Sequence, residues 1–272
     1  MDVLPKLKIK IIPSLYMEAY QLYLNEQGLA PTTVKNHIRN MTNYSYPLDA
    51  SEEDTLGFLE QYKEGSPRKT IAAAVSKYRT YKGYPNELIR AFLKGSVENA
   101  LALNKKNTET MTLPTWEELN ETQDSYFEKS KYKEFVVMYL LLNLNVRNLD
   151  LVARVTYETP EETGNWLIVS NGFVLYLRNN YKTFKTYGQL SNVIKDKRFL
   201  YAVGLIDSLL TETQLLHIQV KKITKGWTET QVMKVAVKHA SSIGQMDTLS
   251  KNRGTSLPVM AQSYNVEGFV DK

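Results

Sequence analysis

The sequence predicts two domains: an all-α N-terminal bundle, and a mostly helical α+β domain with one small antiparallel sheet. Three observations predict this fold class. The chain has 272 residues, more than a single hydrophobic core usually supports. Apolar residues recur at helical spacing throughout the first third. Runs rich in β-branched and aromatic residues are confined to one stretch, between positions 165 and 194.

The N-terminal third is predicted to form five short helices. Periodic apolar positions place them at 14–27, from Pro31 onward, at 54–62, at about 69–81 and at about 87–103. Gly28 ends the first helix, and Thr32 and Thr33 supply caps for the second. Helices of this length with short connections are typical of a small bundle.

A polar, aperiodic segment divides the chain. Residues 104–114 end in a proline and show no apolar period, so they are predicted to be a linker between domains 1–103 and 115–272. Directly after this segment, Thr115 and Glu118 have the spacing of a capping box. The second domain therefore begins with a helix.

The second domain is predicted to be α+β, mostly helical with one small sheet. An apolar helix is expected at 132–146, and Asn171-Gly172 between two β-rich runs predicts a hairpin whose two turn residues both have positive φ. The run 189–194 is predicted to add a third antiparallel strand. Further helices are expected at 199–222, 229–240 and about 257–264.

Composition excludes several classes of site. The chain contains no cysteine, so disulfides, thiolate metal sites and cysteine nucleophiles are excluded. His37, His217 and His239 are too scattered to suggest zinc. The longest apolar run, 135–142, is too short for a membrane span, and no secretion leader is recognisable. We therefore expect a soluble intracellular protein, in cytoplasm, nucleus or a viral or mobile-element setting, without a metal.

Charge is distributed unevenly along the chain. Residues 61–110 contain ten Lys and Arg against four Glu, a local charge of +6. Residues 111–180 have a local charge of −4, and residues 181–272 again +6. Two basic segments on either side of an acidic one suggest two surfaces that bind a polyanion, with ordinary solvated helix faces as the alternative.

Several motifs follow one another in a characteristic order. YLNEQGLAPTTVKNHIRNM and GSPRKTIAAAVSKYRTY lie in the helical third, and LPTWEEL opens the second domain. LLLNLNVRNLDLV contains Arg147, Asp150 and Leu151, and NYKTFKTYG is a turn that bears lysines. Gly254-Thr255-Ser256 follows, with Tyr264 nine residues beyond Thr255. In this order the motifs resemble the core-binding domain, first box, lysine turn and third box of the tyrosine recombinases, the phage-integrase family.

The resemblance implies a clamp around double-stranded DNA, with strand cleavage and rejoining through a 3′-phosphotyrosyl intermediate. Tyr264 would be the nucleophile, Arg147 would hold the scissile phosphate, and Lys185 or Lys182 would be the general acid. The phosphotyrosyl bond conserves energy, so no ATP, metal or other cofactor is implied. The expected partner is duplex DNA rather than a small molecule or a membrane, and self-association on DNA is left open. The residues expected to contact DNA are Lys35, Arg39, Arg68, Lys69, Lys77, Arg79, Lys182 and Arg253.

The sequence departs from the family pattern at two positions. The family's second box has a His or Lys and, three residues later, an arginine; the spacing places this box near Val232, where there is no arginine. Lys234 is the nearest cation and could supply charge, but not the bidentate fork of an arginine. Thr255 replaces the third-box histidine, and Arg253 beside it could reach the phosphate instead.

Three functions therefore stay open. The chain could be an enzyme that uses Tyr264, Arg147, Lys185, Lys234 and Thr255. It could also be a DNA-binding relative without the full active site, or a scaffold protein with the same fold that binds no DNA.

Overall fold

The structure is a computed structural model that describes residues 14–160, 163–211 and 215–264. The side chains of residues 14, 15, 105, 108, 109 and 261–264 are outside the description. The chain divides into two compact units, Met1–Thr110 and Met111–Lys272, and each is described by itself below.

The first unit is helical throughout its described part. Its helices are α1 (Ser14–Glu26), α2 (Pro31–Thr42), α3 (Glu52–Leu59), α4 (Ser66–Lys82) and α5 (Glu87–Glu109). The five predicted helices are confirmed in order, with ends shifted by a few residues. Fully buried Tyr20, Leu24 and Met41 contribute to its core. α5 extends through residues 104–109, so half of the predicted linker is helical.

The second unit is mostly helical. Its helices are α6 (Trp116–Glu128), α7 (Tyr132–Tyr139), α8 (Phe184–Tyr187), α9 (Lys197–Val203), α10 (Leu216–Ile223), α11 (Glu229–Ser242), α12 (Met246–Arg253) and α13 (Leu257–Tyr264). A π-helical turn (Leu140–Leu144) follows α7, and a 3₁₀ helix (Asn148–Leu151) precedes the sheet. The predicted capping box is confirmed: the Glu118 N–H donates to Thr115 Oγ1 (3.0 Å), and the Thr115 N–H donates to Glu118 Oε2 (2.7 Å).

In this unit one helix prediction needs correction, and one helix was missed. The single helix expected at 199–222 is divided into α9 and α10, because the chain leaves α9 at Gly204 and then pairs with a strand. In this pairing the Leu209 N–H donates to the carbonyl of Ala153 (2.9 Å). α12 was not predicted from the sequence.

The sheet has four strands in the order β1 (Ala153–Thr156), β2 (Asn165–Ser170), β3 (Phe173–Arg178) and β4 (Leu190–Ile194). β2, β3 and β4 pair antiparallel, which confirms the predicted hairpin and third strand. β1 pairs with β2 in parallel, so the sheet is mixed rather than antiparallel. The expected turn geometry is also corrected, because Gly172 has a φ of 85° whereas Asn171 keeps a negative φ.

In the ranges that the structure describes, no helix combines the length and apolar character that a membrane span requires.

Candidate functional site

Three segments that the sequence singled out meet in the second unit. Arg147 Nη1 donates to the backbone carbonyl of Arg253 (2.9 Å), which links the segment 147–151 to the segment 253–256. Thr183 Oγ1 donates to the carbonyl of Gly254 (2.7 Å), which brings in segment 181–188 between β3 and β4. We call this segment the lysine loop, because it bears Lys182 and Lys185. The structure therefore brings together Arg147, the lysine loop and the Gly254-Thr255 turn.

The loop that carries Arg147 is fixed by its backbone. Asn145 ends the π-helical turn in the left-handed region (φ 53°), and Arg147 is extended. The Arg147 N–H donates to Asp150 Oδ2 (3.1 Å). Arg147 itself is half-buried, and within the described part of the chain its Nε and Nη2 groups have no hydrogen-bond partner. This arginine can therefore donate to an incoming oxyanion.

Gly254 allows the close approach of the turn to the lysine loop. Its φ is 62°, a region that L side chains rarely adopt. A Cβ at this position would lie 2.8 Å from Leu190 Cδ1 and 3.1 Å from Tyr181 Cε2. The Tyr181 hydroxyl in turn donates to the carbonyl of Gly188 (2.7 Å) and so closes the loop.

Sequence reasoning missed a buried ion pair at the centre of the site. Arg178 Nη1 lies 3.3 Å from Asp150 Oδ2, and both side chains are fully buried. Arg178 Nη2 donates to Asn192 Oδ1 (2.8 Å) and to the carbonyl of Asn252. The available signal was strand alternation, since Val174, Tyr176 and Arg178 form the inward face of β3. An arginine on that face must find a partner inside.

The prediction that Arg253 contacts DNA needs correction, because its side chain lies inside the protein. Arg253 is only 5% exposed, and its Nη1 donates to the carbonyl (2.6 Å) and Oδ1 (3.2 Å) of Asn145. Its Nη2 lies 3.5 Å from Glu229 Oε1. The buried Arg253 side chain therefore stabilises the backbone at Asn145, two residues before Arg147.

Glu229 is a second residue that the sequence analysis missed. It stands three residues before Val232, near which the spacing places the second box. Its Oε2 accepts the N–H of Asn148 (3.1 Å), while Oε1 faces Arg253. We call Arg147, Arg178 and Arg253, together with Asp150 and Glu229, the arginine cluster, and Glu229 is its second carboxylate.

The other predicted catalytic residues differ in accessibility. Lys234 is buried in α11, and burial lowers the pKa of its ammonium below the usual value for lysine. Thr255 is half-buried and donates its N–H to the carbonyl of Ser250 (3.1 Å). Lys182 and Lys185 are exposed. Tyr264 is the last residue of α13, and its side chain lies outside the described part of the structure, so its role stays a prediction.

In the first unit, two of the predicted DNA-contacting arginines serve the fold. Arg79 is 2% exposed, and its guanidinium donates to the carbonyls of Pro85 (2.7 Å) and Ala50 (2.9 Å). Arg68 donates to the carbonyls of Glu60 (2.7 Å) and Tyr62 (3.0 Å) just beyond α3. The buried position of Arg79 contradicts a DNA contact, and the Arg68 guanidinium is largely engaged.

The other predicted DNA-contacting residues of the first unit are at least partly exposed. Lys35 and Arg39 are exposed on α2, whereas Lys69 and Lys77 on α4 are half-buried. The Lys77 ammonium lies 5.7 Å from the centre of the Tyr23 ring. An open groove of about 440 Å³ between α2, α4 and α5 is lined by polar side chains of α2 and by Lys69; the α2 residues are Thr33, Asn36, His37 and Asn40.

The described part of the chain offers no group of three or more His, Asp or Glu side chains that could bind a metal ion. His239 stacks on Trp116 with the ring centres 4.0 Å apart, and so it packs against the first turn of α6.

No protein-family model and no curated protein sequence matches the chain. Among solved structures, the chain is similar to the crystal structure of XerA recombinase, with 9% sequence identity and a TM-score of 0.38. The alignment covers 94% of this chain and 95% of that chain. Similarity at this level does not establish a shared fold, so the proposed function depends on the residues and contacts of this chain itself.

Proposed function

We propose that this protein binds duplex DNA, and that the site around Arg147 receives a backbone phosphate as in the tyrosine recombinases that the sequence resembles. The observation that carries the proposal is the hydrogen bond between Arg147 and the carbonyl of Arg253, across 106 residues of sequence. Together with the Thr183–Gly254 contact, it joins three of the segments that the resemblance marks. Chance motifs scattered through a fold would not be expected to converge in this way.

The chemistry of the site suits a phosphodiester. A guanidinium with unused N–H groups is the preferred donor for a phosphate oxygen. Lys182 and Lys185 add two exposed charges on the loop that contacts the Gly254 turn. One positioned arginine and two mobile lysines can hold a phosphate through charge without recognising base sequence.

The first unit supplies a second candidate surface. Lys35 and Arg39 are exposed on α2, which also lines the groove with Asn36 and Asn40. Lysine and arginine contact phosphates, whereas asparagine amides can read base edges. A helix with both kinds of side chain is therefore suited to a DNA groove.

Strand cleavage through Tyr264 is the second candidate function, and specific contacts favour binding over it. A cleavage site needs several cations around the phosphate, because negative charge develops during attack. Here Arg253 and Arg178 donate to protein groups, Lys234 is buried, and Glu229 adds a negative charge. Losing one such contact typically slows a reaction by about 10²–10³. The geometry therefore supports DNA binding first.

The binding proposal is tested by fluorescence anisotropy with a labelled duplex. Arg147→Ala and the double variant Lys182→Ala/Lys185→Ala should weaken binding on every duplex sequence, because they remove phosphate contacts. The matched control, Lys129→Ala/Lys133→Ala, removes two charges from exposed lysines of the acidic segment and should leave affinity nearly unchanged. Equal losses in both double variants would contradict the proposed site.

Cleavage is tested on DNA that the protein itself selects. Duplexes enriched from a random library are rebuilt with a nick close to the bound centre, so that a covalent complex becomes trapped. A DNA adduct mapped to Tyr264 and absent in Tyr264→Phe would establish strand cleavage. Tight, selective binding without any adduct would leave DNA binding as the function.

A further inference from the structure

The Glu229 carboxylate is bound by groups that normally bind phosphate. Its Oε2 accepts the backbone N–H of Asn148 (3.1 Å), and its Oε1 lies 3.5 Å from Arg253 Nη2. The Glu229 side chain is 20% exposed, compared with 6% for that of Arg253, so Glu229 is the member of this pair that is more open to solvent. Backbone N–H groups and guanidinium groups are the donors from which proteins build oxyanion sites.

Arg147 is a further donor on the same segment, although it does not contact Glu229. Arg147 directly precedes Asn148, and its Nη1 is anchored on the carbonyl of Arg253. Its remaining N–H groups have no partner among the described residues. We call the Asn148 N–H with the Arg147 and Arg253 guanidinium groups the anion cradle. The Glu229 carboxylate uses the Asn148 and Arg253 donors. A phosphate could accept from these two and from the remaining N–H groups of Arg147.

Two buried side-chain atoms of the segment that provides the Asn148 N–H are unpaired among the described residues. Asn145 Nδ2 and Asn148 Oδ1 are buried and have no hydrogen-bond partner within residues 14–160, 163–211 and 215–264, and Asn145 is only 1% exposed. Buried polar groups without partners cost free energy, and in native proteins they are rare outside functional sites. The 145–148 segment therefore retains unused hydrogen-bonding capacity next to the backbone N–H that Glu229 accepts.

We propose that Glu229 is a built-in anion that occupies this cradle and keeps a phosphate oxyanion out of it. The inference rests on the proposed function, because the phosphate in question is that of DNA. It also goes beyond that function, since it assigns Glu229 an autoinhibitory contact. A neighbouring carboxylate repels a phosphate as well as competing with it for the same donors. Removing the carboxylate opens the cradle to a phosphate group, whether from DNA or from free inorganic phosphate.

The first arm of the test uses inorganic phosphate and no DNA. Titration calorimetry at constant ionic strength compares the wild type, Glu229→Ala and Glu121→Ala, which removes an exposed carboxylate from α6 of the same unit. Glu229→Ala should bind phosphate about tenfold more tightly or better, the worth of one charge-assisted hydrogen bond. Adding Arg147→Ala should abolish the gain. Should phosphate affinity match that of the Glu121→Ala control, or the gain survive without Arg147, the cradle assignment is wrong.

Glu229→Gln guards against a variant that fails to fold. It keeps the side-chain length and an acceptor for the Asn148 N–H, and it removes the charge and the oxygen that faces Arg253. Its phosphate affinity should also rise, by less than in Glu229→Ala, because the amide still fills the cradle. An unchanged affinity in a folded Glu229→Gln would overturn the proposal even without data on the alanine variant.

The second arm uses duplex DNA and separates this inference from the proposed function. One additional phosphate contact should steepen the slope of log affinity against log salt by about 0.9 in Glu229→Ala. If the wild type binds DNA but the slope stays the same, the inference fails and the proposed function stands. If inorganic phosphate binds Glu229→Ala but neither protein binds DNA, the cradle stands and the proposed function fails.

Discussion

At the scale of single residues, Arg178 and its partner should dominate the stability of the second unit. Both side chains of the Arg178–Asp150 pair are fully buried, whereas those of the Arg198–Asp124 pair are about half exposed. Removing one member of a buried pair leaves an uncompensated charge. Arg178→Met should therefore lower the free energy of unfolding by about 3–5 kcal/mol. Arg198→Met should cost about 0–1 kcal/mol. Urea unfolding measures both, and similar small losses would show that the buried pair contributes little.

Gly254 provides a second prediction at this scale. Gly254 and Gly244 have φ values of 62° and 70°, but a Cβ would meet nothing within 4 Å at Gly244. Gly244→Ala should cost about 1–2 kcal/mol of unfolding free energy for its left-handed backbone. Gly254→Ala should cost about 1 kcal/mol more, because Leu190 and Tyr181 must move. Equal losses in thermal unfolding would mean that the turn and the lysine loop separate without cost.

The sequence identified part of this site and missed the rest for a physical reason. Arg147 and Gly254 belong to spaced motifs, so a pattern could find them. The direction of a side chain is set by tertiary packing, which no spacing reveals. Arg253 therefore looked available to DNA but donates to Asn145, and Arg178 went unnoticed although it is fully buried. Glu229 was missed because the pattern directed attention to Val232.

At the scale of elements, the turn of the β2–β3 hairpin differs from the one that the sequence predicted, in which both central residues have a positive φ. Ser170 pairs with Phe173, and of the two residues between them only Gly172 has a positive φ. A negative φ followed by a glycine near +80° is typical of a type II turn, which favours proline at its first central position. Asn171→Pro should therefore be neutral or stabilise the fold by about 0.4–1 kcal/mol.

Gly172→Ala is the matched control for the hairpin. It should lower the free energy of unfolding by about 1–2 kcal/mol, because alanine disfavours a positive φ. Chemical denaturation of both variants decides the geometry. A large loss in Asn171→Pro would indicate that Asn171 also needs a positive φ, as the sequence had suggested.

Elements with strong periodic patterns were predicted, and elements defined by tertiary contacts were not. The helices of the first unit have long apolar stripes and were predicted in order. β1 has four residues, too few to show alternation, and it is defined by its pairing with β2. α5 continues through residues 104–109 even though their composition resembles a linker. Helix propagation costs little once a long helix is established, so a polar end need not stop it.

At the scale of the whole molecule, the junction between the two units should be the first site of proteolysis. α5 ends at Glu109 and α6 begins at Trp116, which leaves six residues between them. Limited proteolysis should cut at 110–113 first and release two folded fragments, identified by mass spectrometry and circular dichroism. First cuts inside α5 or α7 would contradict this division. Because α5 extends to Glu109, the expected cleavage site is shorter than the predicted linker of eleven residues, 104–114.

The uneven charge of the chain predicts that its affinity for DNA depends on salt concentration. The chain has a formal net charge of +5, with two segments of +6 separated by one of −4. Exposed lysines and arginines on α2 and the lysine loop are available to phosphates. Binding through such contacts releases counterions from DNA, so affinity must depend steeply on salt.

The direct test of DNA binding is the affinity of the wild-type protein for duplex DNA as a function of salt. With about 6–10 phosphate contacts, the affinity should fall by about 10³–10⁵ between about 50 and 200 mM salt. The plot of log affinity against log salt should be linear. No binding at low salt, or an affinity that does not change with salt, would contradict the account and favour a scaffold protein that binds no DNA.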